Sequence, residues 1–292
     1  MPELPEVEVV VRSLRGFLAG RVIRELEVRK EKSWEGEAGE VVGRKIVDIG
    51  RRARFVLLKL DNGKTILTHL KMTGQLIFKG EKIAGGGHPT EDWLEQLPGK
   101  HTRIVFTLDD GSHLFFNDQR IFGYMRVVDE EELREVMGKI GPDANTSEFG
   151  EAYLAGKIVK RKTAIKQLIM DNKIVAGVGN IYAQESLFRA RIDPRRAGES
   201  LSGAEVGRIV REIKGILAEA IAAGGTTFDG KYVDGEGKSG EFSAKLQVYG
   251  RSGEKCLVCG ADLETIRQGG RRTVYCLGCQ GGFLSPKTLL IL

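Results

Sequence analysis

Apolar residues recur at steps of three and four along residues 5–18. Val7, Val10, Val11, Leu14, Phe17 and Leu18 fall on one face, and this spacing predicts a helix. Pro5 suits its first turn and Gly20 its stop. The period then changes. Residues 22–28, 41–49, 55–60 and 65–70 read as strands, the last two flanking Asp61-Asn62-Gly63, a hairpin turn signal. A second hairpin runs from residues 103–108 through Asp109-Asp110-Gly111 to residues 113–116. Closely spaced strands with turn signals between them predict a β-sandwich. Residues 80–99, which include Gly85-Gly86-Gly87, read as a long loop between strands.

From about Asp129 the pattern turns helical. Residues 202–223 are the clearest case: Ser202 can cap, Glu205 can complete a capping box, and Gly224 ends the run. Val206, Ile209, Val210, Ile213, Ile216, Leu217 and Ile221 line one face. Residues 163–170 and 181–188 read as two shorter helices joined by residues 173–180. This is a helix–turn–helix arrangement with a long, glycine-bearing turn, which can offer backbone N–H groups to a phosphate at the next helix. Residues 226–242, rich in glycine and charge, read as a mobile loop. The organisation expected is α+β and multidomain: residues 1–128, 129–225 and 226–292.

The third segment holds all four cysteines. Cys256 and Cys259 form one C-x2-C knuckle, and Cys276 and Cys279 form another, with sixteen residues between the pairs. That spacing fits a zinc ribbon, in which four thiolates hold one structural Zn2+ and leave no open position for a water. Disulfides are the alternative. They persist mainly in oxidising compartments, and the chain opens without an apolar signal sequence, which points to a cytoplasmic location. No run of about eighteen apolar residues exists, so no membrane span is expected.

Composition adds little until charge is placed along the chain. With 41% hydrophobic and 29% charged residues the protein is an ordinary globular chain, and its net charge of +5 is mildly basic. Residues 151–214 carry thirteen Lys/Arg against seven Asp/Glu, an excess of +6 that outweighs the whole chain's. Lys157, Lys160, Arg161, Lys162 and Lys166 crowd into ten residues of it. A solvated helix face is one explanation of such a run, and the nearby cysteine cassette favours the other, phosphate contact. Two motifs lead nowhere. Gly235-Glu236-Gly237-Lys238-Ser239-Gly240 matches G-x-G-x-x-G without a strand-to-helix setting, and a P-loop would need glycine where Tyr232 stands. His69, His88, His101 and His113 are scattered and do not resemble a ligand set.

Candidate chemistry lies at the other end. Once Met1 is removed, Pro2 presents a secondary amine, and an α-amine titrates near ~8, so part of it is neutral and nucleophilic at neutral pH. A helix N-terminus just behind it favours the neutral form further. Attack by such an amine on a sugar C1′ gives an iminium, an electron sink for elimination. Glu3 and Glu6 lie beside it and suit proton transfer. The plainer alternative is that Pro2 and Pro5 stiffen the start while Glu3, Glu6 and Glu8 complement the helix dipole.

The whole chain resembles the bacterial formamidopyrimidine-DNA glycosylase family. The resemblance rests on Met1-Pro2-Glu3-Leu4-Pro5-Glu6-Val7-Glu8, Lys162-Thr163-Ala164-Ile165-Lys166, Met170-Asp171-Asn172-Lys173 and Gly177-Val178-Gly179-Asn180-Ile181-Tyr182-Ala183. It continues through Gly224-Gly225-Thr226-Thr227, Leu246-Gln247-Val248-Tyr249-Gly250-Arg251 and the four cysteines. It implies an N-terminal helix with a β-sandwich, a helix–two-turn–helix domain and a zinc-ribbon finger. It also implies a monomeric base-excision repair enzyme that binds double-stranded DNA between its lobes and removes oxidised purines, then cuts the strand by β- and δ-elimination. The opening favours this family over the related endonuclease VIII-like enzymes for oxidised pyrimidines. A lesion-binding protein without lyase activity is the alternative from another class.

By the same resemblance Pro2 is the Schiff-base nucleophile, Glu3 the proton donor and Glu6 the second acid. Lys166 and Asn180 bind phosphates around the extruded nucleotide, and Arg161 and His101 contact DNA. Arg271 grips a flanking phosphate and assists δ-elimination. Met72, Arg120 and Phe122 fill the hole left by the flipped base, although core packing alone would account for Met72 and Phe122. Residues 226–242 match a cap over that base. Three places depart from the family. Arg54 stands where a lysine serves DNA contact and β-elimination; arginine keeps the charge but barely deprotonates, which speaks against proton shuttling there. Thr102-Arg103 follows His101 where a more acidic pattern is expected, and Gln119 replaces proline between Asp118 and Arg120. The ending, residues 283–292, is apolar; packing against the protein or joining a partner contact would each keep it from water, and packing is the favoured reading.

Overall fold

Glu3 precedes helix α1 (Leu4–Leu18), which carries Pro5 in its first turn and ends where Gly20 takes a left-handed backbone, φ +89°. Leu4, Val7, Val10, Val11, Leu14 and Leu18 are no more than 1% exposed. Burying each of these side chains contributes about 1.5–3 kcal/mol, far above any helix-propensity effect. The structure is a computed structural model that describes residues 1–89, 96–227, 233–234 and 239–281. The chain divides into two compact units, Met1–Lys139 with Ala220–Ser243, and Ile140–Glu219 with Ala244–Leu292.

In the first unit α1 is followed by strands β1 (Ile23–Val28), β2 (Trp34–Glu35), β3 (Ile46–Arg52), β4 (Phe55–Leu60), β5 (Thr65–His69), β6 (Gly74–Lys79), β7 (Ile83–Gly87), β8 (Thr102–Leu108), β9 (His113–Asp118) and β10 (Tyr124–Val128). One sheet has the order β1-β8-β9-β6-β7 and continues to β11 (Val233–Asp234); the other has the order β2-β10-β5-β4-β3. The core lies between them: Ile49, Val56 and Leu58 of one sheet meet Leu76, Phe106 and Phe116 of the other, with the buried face of α1 in the same cluster. On the outer face of the second sheet, helix α2 (Glu130–Gly138) packs Leu133, Val136 and Met137 against Leu57, Leu67 and Val128. Asp129 caps it, accepting from Glu132 N–H at 2.8 Å while Glu132 accepts from Asp129 N–H at 3.0 Å.

Two expectations need correction. The strand expected from residue 41 starts only at Ile46: residues 41–43 form a turn that follows a short 3-10 helix at Ala38–Glu40. The glycine run inside the expected 80–99 loop is strand β7, paired with β6 in the register Leu76↔Gly86 and Ile77↔Gly85. Glycine is required there by close approach: at Gly85, φ +113°, an added Cβ would stand 1.9 Å from the Leu76 carbonyl oxygen. The low strand propensity of glycine hid a position where only glycine fits.

The second unit contains α3 (Glu151–Ile158), α4 (Ile165–Ile169), α5 (Asn180–Arg189) and most of α6 (Gly203–Ala222), then a hairpin of β12 (Leu263–Gln268) and β13 (Arg271–Cys276) closed by α7 (Leu277–Gln280). Ser202 opens α6 by a reciprocal pair: its N–H donates to Glu205 Oε2 at 2.8 Å, and Glu205 N–H donates to Ser202 Oγ at 3.4 Å. Ile165, Ile169, Val178, Tyr182, Leu187, Ile209, Ile213 and Ile216 are buried. Much of the expected 226–242 loop and all of the apolar ending at 283–292 lie outside the described residues, as does most of the glycine motif at 235–240. Among the described residues no helix is long and apolar enough to cross a membrane.

Candidate active site and nucleic-acid interface

The capping geometry of α1 places the candidate acids of the first unit. Glu3, the N-cap residue, is 4% exposed and Glu6 is 2% exposed, with Pro2 buried ahead of them. Glu3 N–H donates to Glu6 Oε2 at 2.8 Å, and Thr226 N–H donates to Glu6 Oε1 at 2.9 Å. Both oxygens of Glu6 are thus engaged by backbone donors. The carboxyl plane is fixed, and it joins the start of the chain to the start of the 226–242 segment. One turn on, Glu8 bridges Arg12 and Arg51, each at 2.8 Å. Burial raises the Glu8 pKa, but the two guanidinium partners outweigh it and leave the group below the usual carboxylate value.

Arg51 also donates to the Ala53 carbonyl oxygen at 3.0 Å across the tight β3–β4 turn, where Ala53 is left-handed at φ +54°. This turn presents Arg54, which is 7% exposed. Near it, burial and then the charges of Lys71 and Arg54 push His69 down to about 3, so the imidazole is neutral across the working range. Its Nδ1 accepts from Lys71 N–H at 3.0 Å, which places the proton of the neutral ring on Nε2.

Met72 and Phe122 are not core residues; they are 42% and 49% exposed. The guanidinium of exposed Arg120 stacks on the Phe122 ring, 4.7 Å from its centroid. Met1, Met72 and Phe122 line one cavity of about 610 Å³, together with Lys71 and Tyr124. A larger cavity of about 1050 Å³, walled by Phe17, Phe78 and Phe115, shares no residue with it and lacks the candidate acids. His101 is half-buried just before β8, where its carbonyl oxygen accepts from Asp118 N–H at 2.9 Å. The unexpected Arg103 has a local role: it donates to the carbonyl oxygens of Asp118, at 2.7 Å, and Lys100, at 3.2 Å.

The basic run in the second unit is not one face. Lys157, Lys160, Arg161 and Lys162 are exposed, whereas Lys166 is 1% exposed. Its Nζ donates to Asn180 Oδ1 at 2.6 Å and to Thr273 Oγ1 at 2.8 Å. Asn180 opens α5, so the ammonium sits at the N-terminal end of a helix beside backbone donors. Asn180 Nδ2 reaches the Arg272 carbonyl oxygen at 3.3 Å, and exposed Arg271 is the first residue of β13.

Sequence reasoning missed the residues that clamp this hairpin. Gln184 donates to the carbonyl oxygens of Asn180 at 2.9 Å and Arg272 at 3.3 Å, and accepts from Val274 N–H at 2.6 Å. Glu185, wholly buried, accepts from the N–H groups of Gln247, Val248 and Tyr249 at 2.7–2.9 Å; burial nonetheless raises its pKa. The helical spacing from Asn180 to Gln184 was the available signal, since residues four apart share a face.

The four cysteines meet. Their sulfurs lie within 4.8 Å of one another, with Cys256–Cys279 at 3.8 Å and Cys259–Cys276 at 3.4 Å. A disulfide needs about 2.05 Å. A tetrahedron with Zn–S bonds of about 2.3 Å has edges of about 3.8 Å, so the set fits zinc. Burial pushes the Cys276 thiol up to about 11 and Cys279 higher still. Four neighbouring thiolates need a cation to keep them deprotonated, and a divalent metal supplies it.

The sequence and the fold are similar to those of known proteins. Residues 1–125 match the formamidopyrimidine-DNA glycosylase N-terminal domain, residues 140–231 the helix–two-turn–helix domain of the same enzymes, and residues 253–281 a zinc finger found in them and in isoleucyl-tRNA synthetases. A formamidopyrimidine-DNA glycosylase of Heliobacterium modesticaldum is 42% identical over 287 residues, covering 96% of this chain and all of the relative. One of Vibrio vulnificus is 41% identical over 283 residues, with the same coverage. The crystal structure of MutM (Fpg) from Thermus thermophilus superposes with a TM-score of 0.83 at 34% identity, covering 96% of this chain and 99% of that one. The Lactococcus lactis Fpg bound to DNA containing FAPY-dG gives 0.83 at 29% identity, covering 95% and 99%. Matched by three family domains in order and by relatives about 40% identical over nearly its whole length, the chain belongs to the formamidopyrimidine-DNA glycosylase family.

Proposed function

We propose that Pro2 is the nucleophile of this glycosylase and AP lyase, and that formamidopyrimidines and 8-oxoguanine in duplex DNA are its substrates. The observation that carries the reading is the cap of α1. It sets Pro2 directly before two buried carboxyls, Glu3 and Glu6, in the unit that exposes Met72, Arg120 and Phe122.

The secondary amine, available once Met1 is removed, attacks C1′ of the extruded nucleotide. The bond from C1′ to the base nitrogen breaks and the base leaves with a proton. Opening of the sugar ring, with a proton from Glu3 to O4′, gives an iminium between Pro2 and C1′. That cation withdraws electrons, so a proton is lost from C2′ and the 3′ phosphate departs; a second elimination releases the 5′ phosphate. Water then hydrolyses the iminium and frees Pro2. Glu6, held by Glu3 and Thr226 N–H groups, keeps the amine and its acid in register. Met72 and Phe122 replace the stacking lost on extrusion, which costs a few kcal/mol, and Arg120 donates to the orphaned base. Lys166, Asn180, Arg161, His101 and Arg271 bind phosphates, with Arg271 assisting the second elimination. Zinc is structural and holds the hairpin that carries Arg271.

Borohydride trapping on a duplex with 8-oxoguanine opposite cytosine, followed by peptide mapping, tests this. An adduct on Pro2 is expected, and Pro2→Gly should abolish trapping while leaving lesion binding. Persistent trapping by Pro2→Gly would remove Pro2 from the role. Faster turnover of a thymine-glycol duplex would move the substrate to oxidised pyrimidines.

A further inference from the structure

The two turns that carry the exposed apolar residues share one buried anchor. Gly74 of β6 pairs with Asp118 of β9, and beyond this pair the chain diverges into residues 70–74 on one side and 118–123 on the other. Met72 follows Lys71, which is left-handed at φ +51°, and Phe122 follows Ile121, left-handed at φ +57°. Such backbone is strained for residues other than glycine, most of all for β-branched isoleucine, and it persists only where the surroundings enforce it.

The enforcing group is the carboxylate of Asp118, which is fully buried. Its Oδ2 accepts from the N–H groups of Phe122, at 2.8 Å, and Gly123, at 2.6 Å. Its Oδ1 accepts from Arg120 N–H at 3.2 Å and from the hydroxyl of Thr73. Thr73 Oγ1 in turn accepts from Arg120 N–H at 3.1 Å, which binds the Met72 turn to the Arg120–Phe122 turn. Gly123 leaves room for this: an added Cβ would stand 2.8 Å from the Phe116 ring and 3.1 Å from Asp118 Oδ2.

We infer that Asp118, with Thr73, is a positioning residue that fixes Met72, Arg120 and Phe122 at one spacing, so that the three enter the duplex as a unit. The inference rests on the reading of those residues as the group that fills the vacated stack. The side chains of Asp118 and Thr73 bond to the two turns, and on this inference the chemistry at Pro2 proceeds without them.

Asp118→Asn in the full chain, which keeps the shape but turns one acceptor into a donor, separates the two roles. A duplex with 8-oxoguanine beside 2-aminopurine reports unstacking by fluorescence, and a single-stranded oligonucleotide with an abasic site reports covalent chemistry without a duplex to open. The variant should lose the fluorescence rise and about a hundredfold in excision from duplex, the scale of an ångström's misplacement, yet trap the single strand as the unaltered enzyme does. Thr73→Val removes only the hydroxyl tie and should show the same split, with Thr73→Ser restoring it; this keeps the test decisive if Asp118→Asn folds poorly. A full fluorescence rise in Thr73→Val, or equal loss in both assays, would overturn the inference. The fluorescence signal needs no chemistry, so it decides this point even if trapping removes Pro2 from its role.

Discussion

At the scale of single residues, Arg54 is one of three places where the sequence departs from the pattern its resemblance leads one to expect. Arg54 is 7% exposed, and an arginine acts as a fixed charge rather than as a proton carrier. Arg54→Met should therefore lower kcat/KM for strand cleavage by tenfold or more, about 1.4 kcal/mol, by losing a charge-assisted contact. Arg54→Lys should recover most of that loss with an unchanged pH profile. Cleavage well above the unaltered enzyme, with a new limb in the profile, would show instead that a titrating group belongs there. The proposed nucleophile and acids, Pro2, Glu3 and Glu6, and the four cysteines could be singled out in the sequence because their chemistry restricts their identity. Asp118 and Thr73 could not, because an aspartate at the end of a strand has many uses, and only the fold shows how many donors converge on it.

Elements were readable where period and punctuation agreed. Helix α1 and hairpin β4–β5 fell close to their expected bounds, since the apolar period and the Pro, Gly and Asp-Asn-Gly signals point the same way. Strand β7 was unreadable for a physical reason: a carbonyl oxygen crowds the Cβ position of Gly85, and propensity registers only that glycine is flexible. The start of α6 offers a test at this scale. Its bond to Arg196, then those to Ser202, hold the Glu205 carboxyl down at about 2, against the opposing effect of burial. A depressed carboxyl contributes stability that is complete above its unfolded value of 4.5 and is lost as pH falls through its folded value. Glu205→Gln should accordingly flatten the acid limb of Tm between pH 4.5 and about 2, and a limb as steep as before would show that other groups govern it. Ser202→Ala, which removes the cap's side-chain partner, should cost about 1 kcal/mol at neutral pH in a denaturant titration.

For the whole molecule, the finger is the part whose core depends most on a metal. Its buried cluster consists of Phe188, Val248, Leu263 and Val274 with Cys256, Cys276 and Cys279, so three of seven members are the metal's own ligands. So small a core adds little stability of its own, whereas structural zinc sites supply roughly 10–16 kcal/mol of apparent binding energy at neutral pH. Chelation, or Cys256→Ser, should release β12–β13, remove Arg271 from its place and abolish duplex binding in a mobility-shift assay. Unchanged affinity after verified zinc loss would confine the finger to a passive role. Cys259 is the one exposed ligand, and its sulfur stands 3.4 Å from that of Cys276. Oxidants that turn guanine into a substrate also attack accessible thiolates, and a thiolate carried to sulfenic acid closes onto a neighbouring sulfur as a disulfide. Damage and disarmament would then share a cause: peroxide treatment should release zinc and duplex binding together, and reductant plus zinc should restore both.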